Sequence, residues 1–169
     1  MKKLVFATTF AFVFGAFAIG ALGVASADVS ETVQKTFRGK ILVTDGALPG
    51  AGMTDELTIK KYNQLNLSKL VHTSETDDVY TWSFDYTAFL TKAPKITGLS
   101  FDFYTADKEK LFVANKGLMG IDPTLTIMRG RLSITEDDGV NRKRAYVIKL
   151  TGKVGKKDVT FAETTLTLE

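Results

Sequence analysis

The chain has no cysteine, one histidine, one tryptophan and three prolines in 169 residues. Without cysteine it forms no disulfide, holds no thiolate zinc and does no thiol chemistry. The lone histidine, His72, would need a positioned nucleophile and an orienting acid beside it to form a triad. Nothing around Thr73 or Ser74 reads as the sharp strand-to-helix elbow that such serines occupy. Phosphate loops, dinucleotide fingerprints and the His-Glu-x-x-His zinc motif are missing too. The Gly-rich stretch at residues 46–52 lacks the Lys-Ser/Thr pair that engages phosphate and Mg²⁺, so it reads as a flexible connection.

What is present begins with an export signal. Lys2 and Lys3 precede an uncharged run from Leu4 to Ala27, which ends in Ala25-Ser26-Ala27. A basic start, an apolar stretch and an Ala-x-Ala ending are what a type I signal peptidase reads. The run is long enough to cross a bilayer of roughly 30 Å. Its many Ala, Gly and Thr residues make it a poor permanent span, and cleavage after Ala27 is expected. The mature chain then starts at Asp28 and has 142 residues, one domain by length. No cysteine follows the apolar run, which excludes a lipoprotein anchor.

Removing the leader takes the net charge from +3 to +1, with 20 Lys/Arg against 19 Asp/Glu. A nearly neutral mature chain gives no argument for nucleic acid or an anionic membrane surface, and no transmembrane span is expected in it. Exported domains of this kind lean on disulfides only when their core is too small. This one must rely on its core alone.

Residues 28–35 read as a polar N-terminal arm, and 36–169 as a single all-β domain. Period-two alternation rich in aromatic and β-branched residues predicts strands near 36–44, 64–73, 79–90, 98–106, 110–115, 124–135, 144–153 and 158–168. Tyr80, Trp82, Phe84 and Tyr86 share one face, as do Leu99, Phe101 and Phe103, then Tyr146, Ile148 and Leu150, and Phe37, Ile41 and Val43. The phase changes within two strands, at Met128–Arg131 and between Phe161 and Leu166. Both changes suggest bulges, with Gly130 in the first, that would bend a strand from one sheet to another. Thr54–Tyr62 is the one helix expected, with Thr54 as N-cap and Asp55 and Glu56 in its first turn. The pattern predicts an antiparallel two-sheet β-sandwich of seven to nine strands, immunoglobulin-like in style.

Three constellations carry whatever chemistry the sequence offers. Asp77, Asp78, Glu136, Asp137 and Asp138 lie in turns that alternating strands would bring to one end of a sandwich, together with the turn at 106–109. Convergent acidic loops hold calcium through about six to eight oxygens. No other cofactor is suggested. Asp85 and Asp102 would face each other if their strands were hairpin neighbours, as paired carboxylates do in glycoside hydrolases. The third constellation is electrostatic. Glu75, Asp77 and Asp78 make one end acidic, whereas Lys92, Lys95, Lys116, Lys153, Lys156 and Lys157 make the other basic. Ends of opposite sign would allow head-to-tail stacking.

These readings point to an exported, non-enzymatic envelope or secreted protein, periplasmic, cell-surface or extracellular. Its role would be structural or partner-binding, with self-association through Lys153, Lys156 and Lys157 against Glu75, Asp77 and Asp78. A carbohydrate- or calcium-binding module is the alternative, and a hydrolase using Asp85 and Asp102 a distant third. Of Tyr80, Trp82, Tyr86 and Tyr104, which could stack on sugar rings, the first three share the core face with Phe84 and only Tyr104 falls on the polar face, and one ring is not a site.

Overall fold

The computed structural model describes residues 29–50, 52–76 and 79–169. The expected leader lies outside them. The residues expected to form a polar arm instead enter a helix, α1 (Glu31–Phe37). The Ser30 hydroxyl caps it by accepting from the Val33 amide at 3.3 Å, and Glu31 pairs with Lys35 one turn on at 2.7 Å. Val33 and Phe37, four apart, are its buried stripe. Gly39 then takes a positive φ of 79°, which turns the chain from helix into strand β1 (Lys40–Thr44). The second helix, α2 (Asp55–Leu65), starts at the Thr54 cap as expected and runs three residues further.

Two short strands, β2 (Lys69–Leu70) and β3 (Ser74–Thr76), follow α2. Then come β4 (Val79–Phe89), β5 (Leu99–Thr105), β6 (Phe112–Leu118), β7 (Ile127–Thr135), β8 (Arg144–Val154) and β9 (Lys157–Leu168). A 3-10 turn over Glu136–Asp138 links β7 to β8.

The nine strands form one sheet and not the two of a sandwich. Its order is β3-β4-β1-β9-β8-β5-β6, with β7 added along β4 and β2 along β9. The sheet is mixed, because β1 and β2 both run parallel to β9. The reason is a helical excursion. After β1 the chain leaves the sheet to build α2, then re-enters still heading the same way. Leu67 donates to the Val43 carbonyl at 2.8 Å, and the Asn66 side chain accepts from the Val43 amide at 2.9 Å. The slot between β4 and β9 is thus filled by β1, then β2 and β3.

The sheet curls on itself. Tyr86 of β4 meets Phe101 of β5 edge to face at 4.8 Å, although β1, β9 and β8 lie between their strands in the sheet. The inner face holds the main core, with Trp82, Phe84, Phe101, Phe103, Tyr146, Ile148, Leu150, Phe161 and Leu166 all buried. Trp82 is 0 % exposed and its indole N–H donates to the Glu169 backbone oxygen at 3.1 Å. A second cluster lies on the outer face, where Val33, Phe37 and Tyr62 of the helices cover Leu42, Phe89 and Ile127. Phe37 therefore does not share a face with Ile41 and Val43. Leu48 joins this cluster and the Tyr62 hydroxyl donates to the Pro49 carbonyl at 3.1 Å, so the Gly-rich stretch is anchored at its middle.

The two phase changes have different causes. In β9 the register slips opposite Leu150 and Thr151, and Phe161 is the extra residue of a bulge. In β7 there is no bulge, since pairing with β4 runs unbroken from Ile127 to Thr135. Ile127 is buried under the helices, and Met128, Leu132 and Ile134 in the inner core. Both faces of one end of β7 are covered, which mimics a phase change in sequence.

Candidate functional site

Among the described residues, the helices cover the outer face over β1, β4 and β7 only. Over β6, β5, β8 and β9 the same face bears a polar concavity of about 520 Å³, lined by Ser100, Asp102, Tyr104, Asn115, Lys149 and Thr151, with Asp158 and Thr160 at its rim. That volume falls within the range of about 300–1,000 Å³ usual for small-ligand sites. A smaller hollow of about 230 Å³ lies between α1 and the end of β4.

Strand register explains how these side chains meet. Asp102 is opposite Asn115 on β6 and Lys149 on β8, and Ser100 is opposite Thr151. Asp102 Oδ1 accepts from the Ser100 hydroxyl at 3.2 Å and from the Asn115 amide, while Oδ2 accepts from Thr151 at 2.6 Å. Three neutral donors hold the carboxylate and fix its plane. Lys149 lies in register between Asp102 and Glu163, yet forms an ion pair with neither. Its ammonium rests 5.1 Å from the centre of the Tyr104 ring.

Tyr104 has a neighbour that alternation alone does not reveal. A register shift between Phe103 and Tyr104 makes Val113 the extra residue of β6, which sends Phe112 outward. Its ring meets that of Tyr104 at 5.7 Å and 72°, and Phe112 is 58 % exposed. Partial burial pushes the Tyr104 phenol up, as do the Asp102 and Asp158 carboxylates, so it remains a proton donor. The sequence signal was slight: an unbroken apolar run, Leu111-Phe112-Val113-Ala114, at a strand start.

The acidic residues read from the sequence fare differently. Asp77 and Asp78 lie outside the described residues. Strand directions put the β3–β4, β5–β6 and β7–β8 connections at one end of the sheet. Asp138 is already engaged there: Lys116 pairs with it at 2.6 Å, and the Thr135 amide and hydroxyl donate to its other oxygen at 2.9 and 3.3 Å. Burial would raise its carboxyl, but these partners outweigh that and hold it below the usual range. Glu75, opposite Tyr80 in register, pushes the Tyr80 phenol up, with Glu136 adding to it, while the Arg142 guanidinium stacks 3.8 Å above the Tyr80 ring. Asp137 is exposed. Among the described residues, no three carboxylate or imidazole groups come close enough to share a metal ion.

Asp85 and Asp102 are not brought together. Asp85 on β4 pairs in register with Thr44 and Arg131, and its strand is separated from β5 by β1, β9 and β8. Lys153, Lys156 and Lys157 lie in and beside the β8–β9 turn, at the end opposite the acidic connections. Lys116 belongs with the acidic end, through Asp138, and not with the basic one. His72 packs edge-on against Tyr80 at 4.9 Å, with its Nδ1 buried and unpartnered among the described residues. Arg129, which no sequence pattern marks, has Nε and Nη2 buried without an acceptor, beside the Tyr62 phenol.

Comparison with protein-family models, curated proteins and solved structures returned no match.

Proposed function

We propose that the mature chain is an exported, non-enzymatic protein of the cell envelope or extracellular space, and that it works by holding a partner on the open half of its outer face. The observation that carries this is the uneven cover of that face. Two helices bury one half, while the other keeps Phe112 and Tyr104 side by side over a fixed hydrogen-bonding network. What supports recognition is the pairing of exposed Phe112 with Tyr104 beside that network, since aromatic residues are enriched at contact surfaces.

Export is supported by the leader pattern. Among the described residues no helix is long and apolar enough to cross a membrane. The non-enzymatic reading is supported by the separation of Asp85 from Asp102 and by the neutral donors that hold Asp102.

Two measurements test this. The intact mass of protein recovered from its native host should match a chain that begins at Asp28. A photo-reactive residue placed at Phe112 in living cells should give a discrete adduct, while one at Lys35 on α1 gives none. Equal adducts from both positions, or none from Phe112, would remove the open face as the contact surface.

A further inference from the structure

We infer that the open face binds a neutral glycan, seated against Tyr104 and Phe112 with its hydroxyls on Asp102, Asn115 and Lys149. The inference rests on that face being the contact surface, and it adds the chemical class of the partner.

The argument starts from what the side chains still offer. A carboxylate has about four acceptor sites. Asp102 uses three, two on Oδ1 and one on Oδ2, so Oδ2 keeps one. Asn115 gives its N–H to Asp102 and keeps its carbonyl oxygen. Lys149 has three donors and no ion pair among the described residues. Two acceptors and a donor thus lie in a row across three neighbouring strands, at the roughly 5 Å separation of directly opposite residues. Vicinal hydroxyls, each both donor and acceptor, satisfy such a row, whereas a purely donating or purely accepting ligand leaves part of it unmet. Beside the row stands an aromatic pair with one ring largely exposed. A pyranose presents that combination, an apolar C–H face with hydroxyls at its edge.

Charge narrows the class. In the concavity Lys149 and Lys153 are balanced by Asp102 and Asp158. A single-stranded nucleic acid stacks on aromatic residues but needs a basic groove for its phosphates. This face has none, and an acidic polysaccharide would set its carboxylates against Asp102. A protein partner would want a dry, charge-depleted centre. Here the centre is Asp102 and Lys149.

The test is native-gel retardation of the mature protein in gels cast with soluble polysaccharides. The neutral probes are a soluble β-1,4-glucan, a β-1,3-glucan, an α-mannan and glycol chitin; the acidic one is polygalacturonate. At least one neutral probe should retard the protein and polygalacturonate should not. Phe112→Ala, Tyr104→Ala and Asp102→Asn should each weaken retardation at least tenfold, and Lys35→Gln should leave it unchanged. Circular dichroism of each variant separates lost binding from lost folding. Phe112 is exposed, so its variant should fold in any case. Retardation by none of the neutral probes, or retardation indifferent to Phe112→Ala, would overturn the inference. If the adduct from position 112 proves to be a protein while every glycan fails, the face survives as a contact surface and the glycan does not. If a glycan binds but the Phe112 and Tyr104 variants bind equally, both readings of the face fall.

Discussion

Gly130 and Tyr86 sit opposite each other across β7 and β4, and the tyrosine occupies the space that any larger residue at 130 would need. A Cβ there would lie 2.8 Å from the Tyr86 hydroxyl and 3.0 Å from its ring. The ring is held in place by Phe101, so it has little room to yield. Gly130→Ala should therefore cost about 1–3 kcal/mol in denaturant unfolding, the usual range for overpacking. The cost should shrink in a Tyr86→Leu background, which measures the coupling directly. The same burial pushes the Tyr86 phenol up to about 12. Unfolded tyrosine ionises near 10, so the unfolded chain loses its proton first as pH rises. Stability is then intact below about pH 10 and falls by roughly 2–3 kcal/mol on the way to pH 12. Alkaline unfolding curves should show that decline, and Tyr86→Phe should flatten it.

At the scale of elements, the weak place is the seam between β6 and β7, two long strands that each pair on one side only among the described residues. The 3-10 turn after β7 bridges it. Asp138 reaches Lys116 of β6, Gly139 packs close to the Val113 carbonyl, and Val140 enters the main core. The ion pair is only partly exposed, and the same carboxylate caps Thr135. Asp138→Asn should cost about 1–2 kcal/mol, combining a cap with an ion pair. Hydrogen exchange would show where: amides of β6 should open faster, while those of β8 and β9 stay unchanged. The carboxyl is lowered in the folded protein, so its contribution is present above the unfolded value near 3.9. It fades as pH falls through the lower folded one. A variant whose β6 exchange is unaltered would show that the turn does not fasten the seam.

At the scale of the whole molecule, strand direction separates charge. Lys153, Lys156 and Lys157 stand at one end, and Glu75 at the other. The Lys116–Asp138 pair moves one positive charge to the acidic end and reduces the asymmetry. Exposed pairs contribute roughly 0–1 kcal/mol each and are screened over about 10 Å at 0.1 M salt. Head-to-tail association through these ends would therefore be weak and salt-sensitive. Sedimentation of the mature protein at high concentration should show oligomers in low salt that dissociate near 0.5 M, about where the screening length falls below 5 Å. Replacing Lys153, Lys156 and Lys157 with Glu should abolish them. A monomer under both conditions would end the stacking proposal.

The sequence by itself determined the β character, the inward residues of β4, β5 and β8, and the capped start of α2. Each of these is local: alternation follows the two-residue strand period, and a cap needs only its own helix turn. It also kept Phe84 and Trp82 inside, since a run of alternating aromatic residues has only one way to be half-buried. Tertiary structure decided the rest. That β1 would lie parallel to β9 depends on a helical detour whose re-entry point no neighbouring residue specifies. Whether β7 carried a bulge or was buried on both faces depended on α1 and α2 being packed against it. Whether Asp85 would meet Asp102 depended on which strands became neighbours. The open site had the same origin. Asp102, Asn115, Lys149 and Thr151 come from three strands, and Phe112 joins Tyr104 only because one extra residue in β6 turns it outward. Strand order and register are properties of pairing between distant segments, and local sequence pattern does not encode them.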